Sequence, residues 1–212
     1  MVKAGRQHLA SPAPAYEVEV LPGLGSIASS ELEDLIGTDG TILPAIREAE
    51  IRFRYRGQPA SLLRLRTVVA VYLVLHFPIP RPKALLGHEH FTALMAAVTQ
   101  IRALHPQGAF HTFRIGAAGA DSAVFQRLGE ELGRATGLAY APDEADLLIR
   151  VRPGVSQAGG WEALIRLSPR PLATRAWRVA DMEGALNGTI AAAMIRLASP
   201  APAERVLNLM SG

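Results

Sequence analysis

The sequence predicts an α+β protein made of two small mixed units and a bridge. Three observations predict it: short stretches in which apolar and charged residues alternate, apolar stripes at helical spacing between them, and proline or glycine at most of the joints. Alternating order of this kind, with mostly short strands, fits two small α+β units better than one doubly wound sheet.

The elements follow in order. Residues 16–21 (YEVEVL) alternate and form a strand, and Pro22-Gly23 turns the chain. Residues 26–36 place Ile27, Leu32, Leu35 and Ile36 at helical spacing, and Gly37 stops the helix. Residues 49–56 (AEIRFRYR) send Ile51, Phe53 and Tyr55 to one side and Arg52, Arg54 and Arg56 to the other. A short helix over 61–66 leads into 68–80 (VVAVYLVLHFPIP), which is β-branched and too short to span a bilayer, hence a buried strand.

The second unit begins after Pro82. A helix over 90–104 carries Phe91, Leu94, Met95, Val98, Ile101 and Leu104 on one stripe. A strand at 110–116 follows. Asp121 or Ser122 then caps a helix that runs to Thr136 and ends at Gly137. Strands at 146–152 and 161–167 come next, and a polar bridge at 168–183 leads to a helix over 185–198 that Pro200 and Pro202 end. The last residues, ERVLNLMSG (204–212), have strand character and stop at a Ser-Gly pair.

Composition excludes several classes. The chain has 212 residues, 49% of them hydrophobic, which supports a real core. It has no cysteine, so no disulfide framework and no thiol chemistry, in keeping with a cytoplasmic location. Residues 1–15 form a polar tail without the apolar centre of a signal peptide. The net charge is +3 and the pI about 9.7. Apart from Lys3 and Lys83 every such cation is arginine, which a GC-rich genome alone would produce, though the guanidinium fork also suits phosphate.

Candidate chemistry is of the binding kind. Arg52, Arg54 and Arg56 lie along one strand face, and Arg150 with Arg152 repeats the pattern. Such rows would meet nucleic-acid phosphates, or would form a solvated sheet face neutralised by nearby Glu. In the bridge, Arg175 and Arg178 flank Trp177, with Arg170 nearby, a set that could grip a backbone and stack a base or pack its Trp on a neighbour. His88 and His90 are two apart and share no helical face, so no metal site is expected. There is no G-x-S-x-G and no phosphate-cradling G-x-x-x-x-G-K, and the carboxylates at 31–34 and 143–146 read as solvation.

Several segments taken in order resemble the N-terminal half of THUMP-domain RNA methyltransferases. These are VLPGLGSIASSELEDL (20–35), TFRIG (112–116), SAVFQRLGEELGRATGL (122–138), DLLIRV (146–151), LSPRPLATRAWRV (167–179) and GALNGTIAAAMIRLA (184–198). The resemblance implies a ferredoxin-like domain at 16–68, a THUMP RNA-binding domain at 69–170, a linker and helix at 171–199, and at 200–212 the first strand of a Rossmann-like methyltransferase domain. Arg114 and Arg175 match family positions and are implied RNA contacts. Asn208, Ser211 and Gly212 would fall on an incomplete S-adenosylmethionine loop, with Asn208 where the family has Asp.

On this resemblance the chain is part of a longer S-adenosylmethionine-dependent enzyme, binds no cofactor by itself and is inactive alone. The implied partner is structured RNA, held at the tRNA 3′ acceptor end, and the implied reaction is methylation of guanine N2. The alternatives are an rRNA guanine-N2 or adenine-N6 methyltransferase, a stand-alone THUMP module without catalysis, and a small-ligand sensor built on ferredoxin-like domains.

Overall fold

The computed structural model describes residues 12–45, 47–155, 159–175, 177 and 184–207. The strands are β1 (Ala15–Glu19), β2 (Gly40–Ile42), β3 (Glu50–Tyr55), β4 (Ala70–Phe77), β5 (Thr112–Ala117), β6 (Ala139–Tyr140), β7 (Leu147–Pro153) and β8 (Trp161–Arg166). The helices are α1 (Gly25–Ile36), α2 (His88–Arg102), α3 (Ala123–Thr136) and α4 (Gly188–Ala198), with 3-10 turns at Gly37–Asp39, Pro59–Arg64 and Pro82–Leu86. All eight strands form one sheet in the order β2-β3-β1-β4-β8-β7-β5-β6. β5 runs parallel to β6 and β7, and the other pairs are antiparallel.

The expected two units therefore share a single sheet. β4, eight residues long, pairs with β1 on one side and β8 on the other. Its first five residues are buried, so it is the seam that joins the halves and leaves no gap in hydrogen bonding near residue 68.

Strand alternation sorts the side chains between two faces. One face carries Tyr16, Val18, Phe53, Val71, Leu73, Phe113, Ile149 and Ile165, and packs with Leu32 of α1, Leu94 and Val98 of α2, and Leu128 and Leu132 of α3 in the main core. Leu32, Leu94 and Val98 have no exposed surface. Truncating either leucine to alanine costs about 2–5 kcal/mol. The opposite face holds a smaller apolar island of Ala70, Tyr72, Val74, Leu148 and Leu164, ringed by charged residues.

The sheet is rolled toward that second face. Arg152 of β7 donates to Glu50 of β3 at 2.8 Å, although β1, β4 and β8 lie between them. Four inter-strand steps would hold those backbones about 19 Å apart in a flat sheet, more than the two side chains can span. Twist and curl bring the distant strands together.

Local signals place most helix ends. Gly137 stops α3 in the left-handed region at φ 71, where a Cβ is disfavoured. Asn187 caps α4, its side chain accepting from the Thr189 N–H at 2.8 Å. Two short strands, β2 and β6, were not expected; three and two residues are too few to show a period. The expected terminal strand is not seen in its described part. Residues 204–207 lie outside any strand, and Val206 and Leu207 are 63% and 78% exposed. Residues 208–212 are outside the described residues.

Candidate nucleic-acid interface

β3 sets the arginine row by its register. Arg52 stands opposite Glu17 of β1, and Arg54 opposite Ala15. Arg52 Nε donates to Glu17 Oε2 at 2.8 Å, and its two terminal nitrogens grip both oxygens of Glu162 at 2.8 and 2.5 Å. Arg54 is exposed and donates to the Ala13 carbonyl. Arg56, just past β3, is exposed and makes no side-chain hydrogen bond or ion pair among the described residues.

Arg152 completes a closed charge network. It bonds Glu17 at 2.5 Å and Glu50 at 2.8 Å, and its Nε lies 3.6 Å from Glu162. Glu17 and Glu162 are each 2% exposed. Burial pushes the Glu17 carboxyl up, against the pull of Arg152 and Arg52. Burial would also raise Glu162, but the Arg52 hydrogen bonds and the charges of Arg52 and Arg152 outweigh it and hold that carboxyl below its usual range. For Arg52 and Arg152 the structure thus realises the neutralised sheet face, because register brings buried carboxylates to both guanidiniums.

Arg150 pairs with Glu19 at 2.8 Å and lies 4.6 Å over the Tyr72 ring. Tyr72 in turn donates its hydroxyl to Glu19. Arg114, the implied RNA contact, is half-buried and donates to the carbonyls of Asp143 at 2.9 Å and Pro142 at 3.4 Å.

A further arginine escaped the sequence reading. Arg166 of β8 is buried and donates to the carbonyls of Ser168, Ala145, Asp146 and Pro169. The signal was available: Glu162, Leu164 and Arg166 alternate toward the same face, and a Ser-Pro turn follows.

The bridge arginine also turns inward. Arg175 is 7% exposed and donates to Leu172 O at 2.7 Å, Arg66 O at 2.6 Å and Gly188 O at 3.2 Å. It ties the bridge and the start of α4 to the segment before β4. Trp177 is 74% exposed. It lines a groove of about 550 Å³ with Arg66, Ile195 and Arg196. Arg178, Asn208, Ser211 and Gly212 lie outside the described residues.

His90 sits edge-on to Phe77. Among the described residues no group of three His, Cys, Asp or Glu side chains could hold a metal. No helix among them is long and apolar enough to cross a membrane.

Among solved structures, TrmN from Thermus thermophilus superposes with a TM-score of 0.56 at 24% identity, over 88% of this chain and 55% of that one. The two share a fold. A looser superposition, TM-score 0.46 at 17% identity, is with a predicted N6-adenine-specific DNA methylase from Listeria monocytogenes str. 4b F2365, over 87% of this chain and 48% of that one. The chain thus spans about half the length of the solved structures it matches. No family model matches it, and no curated protein does.

Proposed function

We propose that this chain is the RNA-binding N-terminal part of an S-adenosylmethionine-dependent RNA methyltransferase that modifies guanine N2 in tRNA. The observation that carries this reading is the fold shared with TrmN through 88% of the chain. The segments that resemble THUMP-domain methyltransferases also fall on successive elements of that fold: β1 with α1, β5, α3, β7, the end of β8 with its turn, and α4.

In this reading residues 69–170 anchor the 3′ end of the RNA, and residues 171–199 hold a catalytic domain at a set distance. Phosphate contacts fix register without reading sequence, so an anchor converts a search for the target base into positioning. Arg54 and Arg56 are the predicted cations with exposed guanidiniums. Arg114 keeps a half-buried one whose known partners are neutral carbonyls. Arg52, Arg150 and Arg152 act instead by holding the sheet that presents them. S-adenosylmethionine belongs to the catalytic domain, with Asn208, Ser211 and Gly212 at the rim of its loop.

The test is a titration with tRNA, with and without its terminal single-stranded nucleotides, at two salt concentrations. Tighter binding to the intact end that weakens steeply with salt is the expected result. Equal and negligible binding to both forms overturns the reading.

A further inference from the structure

Most arginines described so far are spoken for. Arg47, Arg52, Arg134, Arg150, Arg152 and Arg196 face carboxylates, and Arg114, Arg166 and Arg175 face carbonyls. Three cations depart from this pattern. Arg81, Lys83 and Arg127 line one depression of about 510 Å³ with Ala84, Leu86 and Gly87, and no Asp or Glu lines it. All three are exposed, and none makes a side-chain hydrogen bond or ion pair among the described residues.

The arrangement is built rather than incidental. Arg81 and Lys83 sit on the 3-10 turn Pro82–Leu86, where Pro82 fixes the backbone at the first position. Leu85 of that turn has no exposed surface, which pins it in the core. Arg127 comes from α3, which packs against the same turn. Three like charges held on two anchored elements repel one another, and in this chain no carboxylate relieves them. An anion with several acceptor oxygens would. Arginine and lysine together offer a forked donor and a point charge, the usual pair for phosphate.

We infer that this notch takes a backbone phosphate of the bound RNA, at a place apart from the β3 arginines and the Trp177 groove. The inference rests on the RNA-binding reading and gives it a specific contact.

The experiment compares wild type with Arg81→Ala, Lys83→Ala and Arg127→Ala, binding a tRNA transcript across a salt series. Arg64→Ala, an exposed arginine on a different turn, controls for net charge. Thermal melts check that the folds are intact. Each notch variant is expected to weaken binding several-fold. The triple variant should also flatten the plot of log affinity against log salt by about 0.9 for the phosphate released. Arg64→Ala should leave the slope as it is. Pyrophosphate should compete with RNA on the wild type, and less on the triple variant. RNA binding by the wild type that is indifferent to all three notch substitutions overturns the notch alone. No RNA binding by the wild type overturns the notch together with the reading beneath it.

Discussion

The Arg152 guanidinium and the Glu17 carboxylate meet at 2.5 Å, with side chains 16% and 2% exposed and 135 residues apart in the chain. Removing one partner of a buried pair leaves an uncompensated charge, which typically costs about 3–5 kcal/mol. Glu17→Ala strands two guanidiniums, although Arg52 keeps Glu162 and Arg152 keeps Glu50. A loss near the lower end of that range is expected, read as a lower urea midpoint with the slope unchanged. A loss under about 1 kcal/mol would place the pair with exposed surface bridges instead.

Acid should unfold the protein through Glu162. Its carboxyl is held below the usual value by Arg52 and Arg152 against its burial, so its stabilisation is present above the unfolded value and lost as pH falls through the lowered one. Asp146 acts the same way: burial raises it, but the N–H groups of His111 and Thr112 lower it further. Glu17 works in the other direction, its stabilisation being complete below the unfolded value and lost as pH rises through the raised one. Stability should therefore fall below about pH 4, near the reference carboxylate range. Glu162→Gln should flatten that fall, as urea midpoints measured from pH 3 to 7 would show.

Arg175→Ala should loosen the bridge more than the core. Its three carbonyl acceptors join Leu172, Arg66 and Gly188, and hydrogen bonds to a charged group contribute about 1.5–3 kcal/mol each. The expected result is faster proteolytic cleavage between the sheet and α4, with the melting of the sheet less affected. Gly188→Ala should act in the same direction, since a Cβ there would meet Arg175 Nε at 2.9 Å and Cγ at 3.0 Å.

The two ends of the β3 row should separate stability from binding. Arg52→Ala lowers the melting temperature by several degrees, because it opens the buried network. Arg54→Ala with Arg56→Ala leaves melting within about 0.5 kcal/mol, as exposed sites do, and weakens tRNA binding several-fold. Binding that follows Arg52 but ignores the exposed pair would contradict the assignment.

Much of this was visible in the residues themselves. The alternation in AEIRFRYR puts Ile51, Phe53 and Tyr55 in the core and the arginines on the far face, as observed. What alternation could not show is which group each arginine meets. The acceptor for Arg52 lies 110 residues away, on Glu162. Whether an arginine row faces solvent or carboxylate depends on the order of eight strands, and local sequence carries no record of that order. The same holds for Arg175, whose position the family resemblance marks but whose burial follows from how the bridge folds back on Arg66. The notch at Arg81 and Lys83 was legible only as proline-rich punctuation, because Arg127 joins it from another element.

The β4–β8 seam also dictates when the protein can fold. β4 ends at Phe77, and its partner β8 starts only at Trp161. Such long-range pairing makes for slow folding. During synthesis at about 5–20 residues per second, a completed β4 waits several seconds for the strand that covers its edge. Through that interval a mostly buried, β-branched strand stands with one row of backbone groups unpaired, which makes the nascent N-terminal half a natural client for chaperones.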